Sequence, residues 1–201
     1  QVKWIIAPDT SKIDGLTVDN VTSADEDAIR EVLDSIQTDA AKREWAGVID
    51  YCEELLDAIK NAANSLSDIL DALNAYDIDT VKSSDQSRIE RLDDEIDKLL
   101  GADNLTDEQR EALEAGKEKA DALLGRIEDV ADMMADITDR LSKYEIPTVK
   151  STDKADITDI LGDINQLLGG DNLTATERAK MEIAKAKAQA LLRRIQDAYD
   201  Q

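Results

Sequence analysis

The stretch that decides the fold runs from Asp107 to Tyr144 and reads DEQREALEAGKEKADALLGRIEDVADMMADITDRLSKY. Its apolar and small residues follow one another at alternating spacings of three and four, which is the period of one face of an α-helix. They are Leu113, Gly116, Ala120, Leu123, Ile127, Val130, Met134, Ile137, Leu141 and Tyr144. We therefore predict a single helix over Asp107–Tyr144, about 57 Å long at roughly 1.5 Å per residue.

The long stretch is one of three copies. Ile127 recurs as Ile195 and as Ile59, each 68 residues away, and the residues around it recur with it. The loops that precede the stretch recur in the second and third copies as Asp103–Thr106 and Asp171–Thr174, whereas the first copy lacks this loop. Repetition at this period indicates an array of helical units that stack on their neighbours.

Each copy opens with a short helix of about four turns, to judge from its apolar spacing. In the second copy the stripe is Ile89, Leu92, Ile96 and Leu99. Ser or Thr followed three residues later by Glu or Gln predicts a helix start. For the short helices these pairs are Ser23–Glu26 and Ser83–Gln86, and for the long helices they are Thr106–Gln109 and Thr174–Glu177.

The first copy keeps the register of the second, so we predict another single helix over Asp39–Tyr76. A hinge at Asn61–Asn64 is the alternative. The chain must reverse at Tyr144–Pro147, so the end of one long helix, the next short helix and the start of the next long helix form a three-helix bundle. The predicted fold class is all-α: tandem three-helix bundles that share long continuous helices, in the serial arrangement of spectrin, as an elongated rod.

The predicted boundaries are 1–60 for a first bundle with an extended N-terminal segment, 61–128 for a second bundle and 129–201 for a third. The first bundle has no preceding half-helix. We expect the apolar strip Val2–Ile6 to fill that groove. Ile49 and Tyr51 stand where the other copies have lysines that should face water, such as Lys117 and Lys119, which points to an extra contact there.

The net charge of −22 argues against nucleic acid or an anionic membrane as a partner. No apolar run is long enough to insert into a bilayer, and we expect a signal peptide to be absent or already removed. The charge is uneven, at −12 for residues 1–79, −9 for 80–147 and −1 for 148–201. The third bundle is therefore the least repelled by acidic partners.

Catalysis is not expected. The chain has no histidine, which removes the commonest acid–base group, and its carboxylate runs are typical of solvated helix faces. Cys52 aligns with Ala120 and Ala188, which predicts a small buried residue rather than a nucleophile. No EF-hand pattern is present. We predict no catalytic residue, no cofactor and no metal site.

Three sequons, at Asn20, Asn104 and Asn172, are better explained as turn and cap residues before helices. Trp45 aligns with Leu113 and Met181, so we predict a core position for it. Met133 aligns with Ser65 and lies off the apolar stripe, which predicts exposure. The candidate partner-binding residues are apolar residues found in one copy only: Ile49, Tyr51 and Met133.

Three strings carry a family resemblance: Thr80-Val-Lys-Ser-Ser-Asp85, Leu99-Leu-Gly-Ala-Asp-Asn-Leu-Thr106 and Ala122-Leu-Leu-Gly-Arg-Ile127. They resemble helical-bundle repeats of cell-surface proteins of gut commensal and other Firmicutes, over residues 17–201. The resemblance implies an extracellular location, on the bacterial surface or secreted. Some surface proteins of this kind bind immunoglobulin as B-cell superantigens, but no binding motif can be carried over.

Two functions follow as hypotheses. The first is a non-catalytic module that binds a host protein, with the variable heavy region of immunoglobulin as the specific expectation. The second is a passive helical stalk that projects another domain from the cell wall. In either role we expect a monomeric rod. Because the copies differ in charge and in apolar surface residues, a binding function should reside in one bundle.

Overall fold

A computed structural model describes residues 5–199, with the exception of the Tyr199 side chain. Within that part of the chain the secondary structure is helical and contains no strand, which confirms the all-α class. The helices are α1 (Glu26–Ser35), α2 (Asp39–Glu44), α3 (Ala46–Asn74), α4 (Gln86–Leu100), α5 (Asp107–Ser142), α6 (Lys154–Gly169) and α7 (Ala175–Tyr199). A short 3₁₀ turn precedes each of α1, α4 and α6.

Helix α5 confirms the prediction made from its apolar spacing. It is one helix of 36 residues that begins at Asp107 as predicted and ends at Ser142, two residues before the predicted end. Glycines at 116 and 125 lie inside it without a break. The unbroken apolar stripe, which lets the helix bury one face along its length, therefore outweighs the low helix propensity of glycine.

The predicted single helix over Asp39–Tyr76 is wrong, because the chain breaks at Trp45 between α2 and α3. Trp45 has ψ of 25° rather than a helical value, and its indole N–H is buried without a hydrogen-bond partner. The side chain is larger than Leu113 and Met181 at the same repeat position, and Gly47 follows closely, so the backbone leaves the helix here at low cost. The alternative hinge at Asn61–Asn64 is also wrong, since α3 runs through it.

The chain divides into two compact units. The N-terminal unit comprises the described residues up to Leu73 together with Leu92–Glu118. The C-terminal unit comprises Asn74–Arg91 together with the described residues from Lys119 onward. Helices α4 and α5 thus contribute residues to both units. The division into bundles at 1–60, 61–128 and 129–201 stays a prediction.

The core of the N-terminal unit differs from the expectation for the chain start. Ile6 is 87% exposed and Ile5 is 40% exposed, so this part of the strip does not fill a groove, and Val2–Trp4 lie outside the described residues. Ile13 is buried instead. It lies eight residues before the buried Val21, as Leu141 lies eight before Val149 in the C-terminal unit. Ile13 therefore holds the position in the N-terminal core that Leu141, at the end of α5, holds in the core of the C-terminal unit.

The core of the N-terminal unit consists of aliphatic side chains and Cys52. Its buried members are Ile13, Val21, Ile29, Val32, Cys52, Leu55 and Ile59. Burial raises the pKa of the Cys52 thiol, since a thiolate is poorly solvated there. Cys52 is therefore a small core residue in this structure, as its alignment with alanines predicts.

The core of the C-terminal unit is built from α5, α6 and α7. Its buried residues are Val130, Ile137, Leu141, Ile157, Ile160, Ile164, Leu167, Leu173, Met181, Ala188, Leu191 and Ile195. They repeat at helical spacing along each helix, so each helix turns one apolar face inward. The opposite faces stay free to carry charge or binding residues.

The starts of the short helices lie one residue earlier than predicted. The backbone N–H of Thr22, Lys82 and Lys150 donates to the Oδ2 of the aspartate three residues later, at 2.9, 3.0 and 2.8 Å. The predicted pairs Ser23–Glu26 and Ser83–Gln86 therefore do not form the caps. Each short helix begins with a tight 3₁₀ turn. The aspartate side chain, which is shorter than that of glutamate or glutamine, reaches the backbone N–H at the start of this turn.

The predicted starts of the later long helices are confirmed. Thr106 N donates to Gln109 Oε1 at 3.0 Å, and Gln109 N donates back to Thr106 Oγ1 at 3.2 Å. Thr174 and Glu177 repeat the pattern at 2.7 and 3.3 Å. Burial acts to raise the pKa of Glu177, but hydrogen bonds from Ser83 and Thr174 outweigh it and lower that pKa.

We expect Thr174→Ala to lower the free energy of unfolding by about 1 kcal/mol, because the N–H of Glu177 loses its capping acceptor. Thr176→Ala, at an exposed position in the same turn, should change it by less than about 0.5 kcal/mol. Urea denaturation followed by far-ultraviolet circular dichroism measures both. Equal effects of the two variants would show that the cap contributes nothing specific.

Candidate functional site

The three residues predicted to bind a partner are all half-buried. Met133 packs against the core of the C-terminal unit, so its predicted exposure is wrong. The reason is geometric: it lies one turn after Val130 and lines a small crevice with Leu167 and Leu173. Tyr51 packs on the core of the N-terminal unit, and its hydroxyl donates to the carbonyl of Leu16. A role of Ile49, Tyr51 and Met133 in partner binding stays a prediction.

The position of Tyr51 makes a related contact in every copy. Lys119 Nζ donates to Asn74 Oδ1 at 3.2 Å, and Lys187 Nζ donates to the Leu141 carbonyl at 3.0 Å. Both lysines are half-exposed, so they face water only in part. Their long side chains reach the end of the preceding long helix, as Tyr51 reaches the segment before α1.

An open groove with a volume of about 910 Å³ lies between α5 and α7 in the C-terminal unit. Its lining is mostly apolar, which is typical of surfaces that bind other molecules. The lining residues are Met134, Ala135, Thr138, Asp139, Leu141 and Ser142 of α5, and Lys180, Met181, Ile183, Ala184 and Lys187 of α7. Ile183 is 72% exposed on the edge of the groove.

Comparison with the N-terminal unit explains why the groove is open. There Leu70 lies so close to Gly116 that a Cβ on the glycine would be 2.7 Å from Leu70 Cδ2. The corresponding residues 68 positions later are Thr138 and Ala184. Thr138 is short, and its Oγ1 donates to the Met134 carbonyl of its own helix at 2.8 Å. The third copy therefore lacks the side chain that fills this place in the second.

Ile183 is also specific to the third copy. The residues at the same position are Gly47 and Ala115, both exposed, in the first and second copies. A large apolar side chain therefore stands in the third copy where the others expose little or no side chain. A partner surface can bury such an exposed aliphatic group. The charge and apolar content of whole copies do not single out Ile183. Its alignment with Gly47 and Ala115 does.

The charges around the groove are mostly positive. Lys180 and Lys187 lie along its α7 side. On the α5 side Asp139 forms an ion pair with Lys143 at 3.1 Å, which offsets its charge. In a chain with a net charge of −22, this groove is therefore a local exception.

An ion-pair network holds α5 against α6 near the groove. Arg140 contacts Asp156 and Asp163, each at 2.9 Å, and Asp136 at 3.3 Å. The Tyr144 hydroxyl donates to Asp156 at 2.6 Å. The hydrogen bonds from Tyr144 and then Arg140 lower the pKa of Asp156, and the bond to Asp156 raises the pKa of Tyr144.

We expect Arg140→Gln to lower stability at pH 7 by about 1 kcal/mol, because a network of charges is lost. The lowered pKa of Asp156 contributes stability that is fully present above the carboxylate pKa of the unfolded chain, about 3.9. That contribution is lost as the pH falls through the lower pKa of the folded state. The difference between wild type and variant should thus shrink on acidification.

Thermal denaturation at a series of pH values measures that difference. Arg30→Gln is the control, because Arg30 forms an exposed pair with Glu26 alone. Its effect should be small throughout. A difference between Arg140→Gln and wild type that does not vary with pH would contradict the assignment of Asp156.

Asn172 is the one polar residue buried among the described residues, at 5% exposure. Its Nδ2 donates to the carbonyls of Ile78 and Val81 at 2.9 and 3.0 Å, and its Oδ1 accepts from Arg126 at 2.9 Å. It therefore ties the loop before α7 to the loop after α3, within the C-terminal unit. A buried, fully bonded amide is a structural residue in the folded chain, in agreement with the turn role expected from the sequence.

Between Ile5 and Tyr199 no group of three or more Cys, Asp or Glu side chains is arranged to hold a metal ion. None of the helices described is both long and apolar enough to cross a membrane. Comparison of the chain with protein-family models, with curated proteins and with solved structures finds no match.

Proposed function

We propose that this chain is a non-catalytic module of a bacterial cell-surface protein and that its third copy binds a host protein. The observation that carries the proposal is the α5–α7 groove, with Ile183 exposed at its edge. The corresponding residues close this groove in another copy, so the fold does not require an open apolar groove here. Binding of a partner would explain why the groove is open.

The proposal includes the arrangement and location inferred from the sequence. The copies form tandem three-helix bundles that share long helices, as an elongated monomeric rod on the cell surface or secreted. The 36-residue length of α5 and the recurring Thr106 and Thr174 caps support it. The resemblance to Firmicutes surface repeats supports the location and makes immunoglobulin, through its variable heavy region, the specific partner proposed.

The test is direct binding with the whole chain. Biolayer interferometry should detect pooled serum immunoglobulin and purified Fab on the immobilised protein. Fab binding with no response to the Fc fragment would support the variable region as the target. Absence of binding to both immunoglobulin and Fab would contradict the specific partner, and absence of any specifically retained serum protein would contradict host-protein binding.

A passive stalk is the second candidate, and one observation favours it. Val18, Ile78 and Ile146 occupy the same turn position in the three copies and are 48%, 45% and 45% exposed. Equal exposure at equivalent positions is what a spacer built from like units shows. The two candidates differ in the third copy, because a spacer needs neither the open groove nor the exposed Ile183.

A further inference from the structure

We propose that the α5–α7 groove binds an amphipathic helix of the partner protein that carries carboxylates beside its apolar stripe. The inference rests on the proposed partner-binding role of the third copy and adds the chemistry of the bound segment. It does not require the partner to be immunoglobulin.

The shape of the groove fits a helix. On α5 the residues Met134, Thr138 and Leu141 line it at spacings of four and three, so they follow one helix face. On α7 Met181 and Ala184 lie three residues apart. Two helix faces that form a trough offer a third helix the same packing that neighbouring helices use within a bundle. Ile183 at the rim can insert between side chains of that helix.

The charge of the rim selects among such helices. Lys187 donates to the Leu141 carbonyl, a neutral acceptor that does not cancel the charge of the lysine. Lys180 lies on the same side of the groove as Lys187. Asp139 is paired with Lys143. At physiological ionic strength charges beyond about 8 Å are largely screened, so the rim rather than the net charge of −22 governs binding. Carboxylates on the bound helix would meet both lysines.

The repeat suggests a variant that should fill the groove and preserve the fold. Thr138→Leu with Ala184→Gly copies the pair Leu70 and Gly116, which already pack together in the N-terminal unit. The variant should fill the groove and keep the free energy of unfolding, checked by urea denaturation. Ala115→Asp is the matched control, since Ala115 is exposed at the position that corresponds to Ile183.

The probe is a fluorescent peptide of about 18 residues, five turns of helix, with leucines on one face and glutamates beside them. The whole protein is titrated against it, against the same peptide with lysine for glutamate, and against a scrambled glutamate peptide. Fluorescence anisotropy at physiological ionic strength should show the patterned glutamate peptide binding about ten-fold more tightly than either. Thr138→Leu/Ala184→Gly should weaken it about ten-fold, and Ala115→Asp should leave it unchanged.

The inference is overturned if the lysine peptide binds as tightly as the glutamate peptide, or if filling the groove leaves peptide binding unchanged. Its failure is separate from failure of the proposed function. Immunoglobulin binding without peptide binding would refute the helical, acidic occupant alone. Peptide binding without immunoglobulin binding would refute the specific partner and support the chemistry of the groove.

Discussion

Replacing Asn172 with alanine is expected to lower the free energy of unfolding by about 2–4 kcal/mol. The change removes the donor that satisfies the Ile78 and Val81 carbonyls and the acceptor for Arg126. Buried polar groups that lose their partners keep the full cost of having left water. Asn172 is the one buried polar side chain among the described residues, so its replacement should cost more than replacement of a half-buried or exposed loop residue.

Asn104 provides the control, because it stands at the same position of the second copy but is only half-buried. Asn104→Ala should cost less than about 1 kcal/mol. Urea denaturation of both variants measures the contrast. If Asn172→Ala and Asn104→Ala destabilise the protein equally, the buried hydrogen bonds of Asn172 do not stabilise the fold as described.

Ile164→Ala is expected to cost about 2–5 kcal/mol, because it leaves a cavity in the centre of the C-terminal unit. Ile164 is fully buried, and the core around it comes from α5, α6 and α7. The surrounding helices can close such a cavity only in part, since interiors are close-packed. The loss should appear as a lower urea midpoint with an unchanged slope.

Ile183→Ala removes the same atoms from the groove edge, where the side chain is 72% exposed. We expect a change within about 0.5 kcal/mol. Comparison of the two variants tests whether Ile164 stabilises the fold and Ile183 does not. A loss for Ile183→Ala as large as that for Ile164→Ala would show that Ile183 belongs to the core, and the groove would lose its exposed anchor.

The sequence predicts the helices well where local signals and burial agree. Helix α5 follows its apolar spacing, and the Thr106 and Thr174 caps form as predicted. Both features depend on residues within one or two helical turns. The starts of the short helices lie one residue before the predicted ones, because the choice of Lys82 over Ser83 as the capping residue depends on the 3₁₀ turn that Asp85 caps.

Features that depend on contacts between distant residues were predicted less well. The break at Trp45 depends on how a large side chain fits among its neighbours, which alignment with Leu113 does not reveal. Ile13 is buried in the core of the N-terminal unit whereas Ile5 and Ile6 are exposed, because Ile13 has the right distance from Val21. The hydropathy of a segment does not indicate its distance along the chain from the residues on which it packs.

Apolar spacing does not predict the groove either. It arises from the loss of a contact, since Thr138 and Ala184 stand where Leu70 and Gly116 pack together. Met133 is apolar in one copy only, yet it packs inward, whereas Ile183 is exposed. The signal for Ile183 in the sequence is its alignment with the small residues Ala115 and Gly47.

We propose that the third copy binds a host protein at the groove edge where Ile183 is exposed. The most direct measurement is the dissociation constant of serum immunoglobulin for the whole chain, for Ile183→Asp and for Ala115→Asp. We predict that Ile183→Asp weakens binding by about ten-fold or more and that Ala115→Asp leaves it unchanged. Equal affinity of wild type and Ile183→Asp, or no binding by the wild type, would contradict the claim.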